Sequence, residues 1–70
     1  MPIAVAPTGQ KMKILKILTD EKTKKHLENL GLIVNSDITV LTKSGGSVIC
    51  LVKEGRLALD GGLVTKIFVS

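Results

Sequence analysis

The distribution of β-branched residues constrains the fold of this chain more than any other feature of its sequence. Val, Ile and Thr occupy 20 of the 70 positions, and these residue types favour extended backbone. Segments that contain them lie at residues 11–18, 37–42, 47–53 and 66–69, and the alternating apolar segment 56–59 adds a fifth. Because the segments are closely spaced, they predict five strands of a small β-barrel, whose closure hides the edges that an open sheet exposes.

One segment, residues 20–30, has a helical pattern instead. Asp20 can cap its N-terminus, and Leu27 and Leu30 share a face that we expect to hold the helix against the barrel. Gly31 follows and can adopt the left-handed conformation that ends a helix, with Leu32 folding back onto Leu27 in a Schellman ending. The sequence therefore predicts a mostly β fold with one short helix after the first long strand.

Three local patterns refine this prediction. Residues 3–5 form a short apolar piece before a turn and are expected to be extended. The adjacent apolar pairs at 14–15 and 17–18 interrupt the alternation of the first strand and predict a bend or a bulge there. Asp60 is placed to cap a single helical turn that runs through residues 63 and 64.

The size and composition of the chain restrict its class. Seventy residues, 44% of them hydrophobic, suffice for one domain over residues 1–70 with a packed core. The longest apolar run, residues 48–52, is far below the ~20 residues of a membrane span. The N-terminus also lacks the basic and apolar blocks of a signal peptide. We therefore expect a cytoplasmic protein that does not insert into a membrane.

The sequence contains few residues that could perform catalysis or bind a metal ion. The only imidazole and the only thiol are His26 and Cys50. These are the two candidate metal ligands, but a transition-metal site takes three or four. We expect His26 on the surface of the helix and Cys50 in the apolar interior. The sequence thus predicts a binding module that is not an enzyme and has no cofactor.

The positive charge of the chain is unevenly distributed. The net charge is +4, and residues 11–28 contain six lysines against three acidic residues. Such a basic region can attract nucleic acid, a membrane surface or an acidic protein, or can be a solvated surface. The single aromatic residue, Phe68, and the single arginine, Arg56, argue against nucleic acid, since base stacking and bidentate phosphate contacts need more of both.

Several short strings occur in an order that resembles one known family. They are L-E-N-L-G-L at 27–32, I-T-V at 38–40, L-A-L at 57–59 and I-F-V at 67–69. Together with Ile14 and Ile17 before the helix, they make residues 9–69 similar to the FeoA family of bacterial ferrous iron transport. The chain departs from that family in having Asn35 where glycine is usual, and a Gly61-Gly62 pair in place of polar helix formers.

The resemblance implies an SH3-like barrel that acts beside the membrane transporter FeoB without catalysis. It implies a protein partner, the cytoplasmic part of FeoB, and association with Fe²⁺ only at the level of the family. The same domain occurs fused to metal-dependent repressors, so a metal-linked regulatory module remains an alternative. A small nucleic-acid-binding barrel is the second alternative.

The helix and the loop after it are the candidate partner-binding surface. We expect the outward side chains of the helix and an apolar loop to make the contact. Lys24 and Lys25 are also spaced to pair with Glu28 along the helix. The candidate residues are Lys24, Lys25, Glu28, Asn29, Gly31, Leu32 and Ile33.

Overall fold

A computed structural model describes all of residues 1–70 and shows one antiparallel sheet with the strand order β4-β3-β2-β1-β5. The strands are β1 (Lys11–Ile17), β2 (Asp37–Ser44), β3 (Ser47–Val52), β4 (Gly55–Leu59) and β5 (Ile67–Val69). A single α-helix, α1 (Glu21–Asn29), lies between β1 and β2. The predicted mostly β, SH3-like fold with one short helix after the first long strand is confirmed.

The first apolar segment, Ile3–Val5, is a single 3-10 turn and not the extended piece that the sequence predicted. The amide of Ala6 donates a hydrogen bond to the carbonyl of Ile3 and closes the turn. Residues three apart in such a turn lie on the same side, and Ile3 and Ala6 are both fully buried. Burial of this pair against the barrel explains why the local extended preference is overridden.

The core consists of 16 apolar residues, most of which come from alternate positions of the strands. In β1 the alternation is broken by a bulge, because the register with β5 shifts between Ile14 and Lys16. The extra residue lets Ile14 and Ile17 both point inward while Leu15 stays exposed. The predicted irregularity in the first strand is therefore confirmed.

The N-terminal residues cover the outer side of β5. The N-terminal amine of Met1 donates to the carbonyl of Val69 at 2.8 Å, and the amide of Val69 donates to the carbonyl of Met1 at 2.7 Å. Pro2 forms an isolated bridge with Phe68. The main-chain groups on that side of β5 consequently have partners within the chain.

The C-terminus of α1 is a Schellman ending, as the sequence predicted. The amide of Leu32 donates to the carbonyl of Leu27 at 2.9 Å, and the amide of Gly31 donates to the carbonyl of Glu28 at 3.0 Å. Gly31 has a φ of 101°. The N-terminus differs from expectation, because Asp20 precedes the helix but its side chain makes no capping hydrogen bond.

Two loops behave as their sequences indicate. Asn35 has a φ of 75°, so it replaces glycine in the left-handed region that asparagine tolerates. The Asp60 carboxylate oxygen Oδ1 accepts hydrogen bonds from the amides of Gly62 at 2.9 Å and Leu63 at 3.0 Å. The predicted cap at Asp60 is confirmed.

Candidate partner-binding surface

The outward face of α1 is polar and its charges are not paired with one another. Lys25, Glu28 and Asn29 are exposed, and Lys24 is half-buried. The predicted pairing of Lys24 and Lys25 with Glu28 is wrong, since both salt bridges of the structure join other lysines to Asp37. The ammonium groups of Lys24 and Lys25 are therefore available to an external acidic group.

The segment after α1 is less exposed than the sequence suggested. Gly31 and Leu32 are buried, and only Ile33 of the three candidate residues in this segment is exposed, at 48%. The Schellman ending turns Leu32 back into the core, as predicted, so its place among the exposed candidate residues is wrong. Only Ile33 of this segment presents a side chain to an external contact.

Leu30 also lies differently from its predicted position. Leu27 is 2% exposed, whereas Leu30 is 37% exposed and does not pin the helix. In a Schellman ending the apolar contact is made by the second residue after the cap, so Leu32 occupies the space expected for Leu30. The Gly31-Leu32 pair of the Schellman ending could have predicted that Leu32 is buried and that Leu30 lies on the surface.

These corrections define a smaller surface, which we call the helix-end patch. It combines unpaired lysines, two further polar residues and two exposed apolar side chains at one end of the helix. Its members are Lys24, Lys25, Glu28, Asn29, Leu30 and Ile33.

The turn that carries Ile33 is tied to the bulged strand. The amide of Asn35 donates to the carbonyl of Ile14 at 2.7 Å, and the amide of Ile14 donates to the carbonyl of Ser36 at 3.0 Å. Leu15, the residue after Ile14, is 49% exposed. The backbone at the rim of the helix-end patch is thus hydrogen-bonded to the barrel.

The two candidate metal ligands lie in different environments. His26 is exposed on α1, whereas Cys50 is fully buried in β3, with its Sγ 3.4 Å from the carbonyl oxygen of Leu57. Burial raises the pKa of the Cys50 thiol to about 11. No three His, Cys, Asp or Glu side chains form a group that could hold a metal ion. The structure therefore does not bring the sequence-predicted ligands together.

The single aromatic ring does not form a stacking surface. Phe68 is half-buried, and the ammonium Nζ of Lys16 lies over its ring, 5.0 Å from the centroid. This arrangement occupies one ring face with a cation of the same chain.

The helix of the structure, α1, is too short and too polar to cross a membrane.

Known proteins include a family that this chain matches and solved structures that share its fold. The sequence matches the FeoA domain family over residues 1–70. A crystal structure of an iron uptake regulatory protein (FeoA) is 26% identical, with a TM-score of 0.87 over 99% of this chain and 93% of that one. The sequence matches none of the curated proteins.

Two more distant structures share the fold. The FeoA protein from Chlorobium tepidum is 15% identical, with a TM-score of 0.87 over 99% of this chain and 68% of that one. ScaR with bound Zn²⁺ is 17% identical, with a TM-score of 0.88 over the whole of this chain and 36% of that one. With the family match extending from the first residue to the last, the chain belongs to the FeoA family.

Proposed function

We propose that this protein is a cytoplasmic accessory protein of ferrous iron transport that binds the cytoplasmic part of a FeoB-type transporter. Membership of the FeoA family supports the role in ferrous iron transport. That family consists of accessory domains and is not a known enzyme family. The observation that supports binding of a protein is the helix-end patch, in which Leu30 and Ile33 are exposed after the helix that carries the unpaired Lys24 and Lys25.

The two parts of this patch have different roles in the proposed contact. A small group of apolar side chains at the centre of an interface usually supplies most of the binding energy. Charges at the rim mainly raise the association rate and make it sensitive to salt. Leu30 and Ile33 would supply the first contribution, and Lys24 and Lys25 the second. Binding changes transport only if one conformation of the transporter is bound more tightly than another.

The experiment compares two double charge reversals. The Lys24→Glu/Lys25→Glu variant and the control Lys43→Glu/Lys66→Glu each change the net charge by the same amount, from +4 to zero, because each Lys→Glu substitution lowers the net charge by two. Both are assayed by pull-down of the cytoplasmic region of the transporter and by Fe²⁺ uptake in cells. We expect loss only in the first variant. Equal loss in both would show that net charge alone matters and would overturn the assignment of the patch.

A second pair of variants tests the apolar part of the patch. Ile33→Ser removes a side chain that is 48% exposed, whereas the control Val5→Ser removes one that is 67% exposed in the N-terminal 3-10 turn. Surface substitutions of this kind usually change stability by less than about 0.5 kcal/mol. We expect Ile33→Ser to weaken the pull-down and Val5→Ser to leave it unchanged.

A regulatory module that acts with a metal-dependent repressor is the second candidate function. The observation that favours it is the shared fold with part of ScaR, which was solved with bound Zn²⁺. The two functions differ in what deletion of the gene does. Loss of Fe²⁺ uptake at unchanged transporter mRNA supports the accessory role, whereas changed transporter mRNA supports the regulatory one.

A further inference from the structure

The closure expected from the sequence is incomplete, because the outer side of the terminal strand β4 has no partner. The sheet ends at β4 on one side, and no main-chain hydrogen bond outside the β3–β4 ladder involves this strand. The β3–β4 hairpin has a two-residue turn between Val52 and Gly55, so these two residues form a hydrogen-bonded pair. Hydrogen-bonded and non-hydrogen-bonded pairs then alternate along the two strands. The amides and carbonyls of Arg56 and Ala58 therefore point away from β3, toward solvent.

The side chains on the outer face of this edge differ in size and charge. Arg56 pairs with Leu51 and Ala58 pairs with Ile49 across the β3–β4 ladder. Leu51 and Ile49 are 45% and 42% exposed. Because Ala58 is small, it leaves the flank of Ile49 uncovered. The edge thus has an uncovered apolar surface at Ala58 and Ile49, and the guanidinium group of Arg56 lies two residues from Ala58.

The surroundings of the edge have a small excess of positive charge, because four cationic side chains face three carboxylates. The cations are Lys11, Lys13, Lys53 and Arg56, and the carboxylates are Asp37, Glu54 and Asp60. Arg56 and Lys53 form no salt bridge, whereas Lys11 and Lys13 share the single carboxylate of Asp37 at 3.6 and 3.4 Å. An open groove of about 390 Å³ runs between Lys11 and Lys53, with Leu51 in its wall. An acidic group complements this charge. A second copy of the chain, which also carries +4, does not.

We propose that the outer edge of β4 binds an extended segment of a partner protein that carries an acidic side chain and a large apolar side chain two residues apart. The segment adds a strand to the sheet through the main-chain groups of Arg56 and Ala58. Its acidic side chain lies beside Arg56, and its apolar side chain lies over Ala58 against Ile49. This surface is separate from the helix-end patch and does not depend on the proposed function.

The test titrates the ¹⁵N-labelled protein with capped synthetic peptides of about eight residues, the length of an ordinary strand. In the acidic peptide, glutamate and isoleucine alternate on one face and threonine fills the other. In the basic peptide, lysine replaces glutamate. A third peptide is the acidic one with its alternate amides N-methylated. We expect the acidic peptide to shift the amide resonances of Arg56 and Ala58 and to slow their hydrogen exchange, and the other two to do neither.

Variants of the protein locate the contact. Arg56→Glu should weaken binding of the acidic peptide about tenfold, whereas the control Lys22→Glu on α1 should not change it. Ala58→Pro removes an amide that faces solvent, which an edge strand tolerates, and should abolish binding. If Ala58→Pro does not fold, the N-methylated peptide tests the reciprocal hydrogen bond, which a peptide amide donates to the carbonyl of Ala58.

Three results would overturn the proposal. The first is equal binding of the acidic and basic peptides, and the second is a set of shifted resonances confined to α1. The third is a dimer in light scattering that dissociates with Arg56→Glu, which would assign the edge to a second copy of this chain. Saturable binding of the acidic peptide alone, lost with Arg56→Glu, supports it.

Discussion

A Cβ atom placed on Gly31 would lie 3.2 Å from Cγ2 of Val52. The end of α1 therefore approaches β3 so closely that a side chain at this position would force Val52 to shift by a few tenths of an ångström. Gly31 also has a φ of 101°, in a region that L side chains rarely adopt. One residue thus fixes both the end of the helix and its distance from the barrel.

Gly31→Ala should destabilise the protein for two reasons. The left-handed backbone alone costs a non-glycine residue about 1–2 kcal/mol, and the crowding against Val52 adds to this. The control is Gly46→Ala, where φ is 84° and a Cβ atom would meet nothing within 4 Å. Urea unfolding should show a lower midpoint for Gly31→Ala than for Gly46→Ala, and equal midpoints would mean that crowding does not contribute.

Leu27→Ala should destabilise the protein far more than Leu30→Ala, because Leu27 is 2% exposed and Leu30 is 37% exposed. Truncation of a fully buried leucine typically costs about 2–5 kcal/mol. A domain of this size has about 3–5 kcal/mol in total, so Leu27→Ala should leave much of the population unfolded. Thermal melts followed by circular dichroism check the order, and a Leu30→Ala variant that melts below Leu27→Ala would contradict it.

The buried Cys50 thiol should make stability fall in alkaline solution. Its pKa is raised from 9.0 to about 11 by burial, so between these values the unfolded chain loses a proton that the folded protein keeps. The free energy of unfolding is therefore undiminished by this group below pH 9 and decreases as the pH rises towards about 11. The comparison is with Cys50→Ala, which shares every lysine titration and should show a shallower decline over this range.

Purified protein should bind neither Fe²⁺ nor Zn²⁺ tightly on its own. His26 is exposed on α1 and Cys50 is enclosed in the core, so the two cannot ligate one ion without unfolding. Isothermal titration calorimetry should detect no one-to-one site of micromolar affinity. A site of that affinity that disappears with His26→Ala would contradict this expectation and favour the regulatory alternative.

Where sequence-based prediction succeeded, a residue's own chemistry decided the local structure. Gly31 and Asn35 adopt the positive φ values that their side chains allow. The predicted irregularity in the first strand is a bulge, because Ile14 and Ile17 are three residues apart and cannot both point inward in a regular strand. These features depend on a few neighbouring positions and can be predicted without knowledge of the rest of the fold.

Where prediction failed, two residues competed for one space or a distant element supplied the packing. Leu32 and Leu30 both suited the site beneath Leu27, and the geometry of the helix ending selected Leu32. Ile3 and Ala6 are buried together only because the barrel lies beneath their turn. The outward groups of β4 could not be found from sequence, since no local pattern shows which strand lies at an edge.

The pairing of Met1 with Val69 brings the two ends of the chain to the same place on the surface. A domain whose ends are adjacent can be joined to another protein, or inserted into one of its loops, with little stretching of the connecting chain. Joining these two ends and opening the chain elsewhere, at the exposed Gly45-Gly46 turn for example, would give a circular permutant with the same core. The positions of the two termini can therefore be moved to another exposed turn without a change in the core.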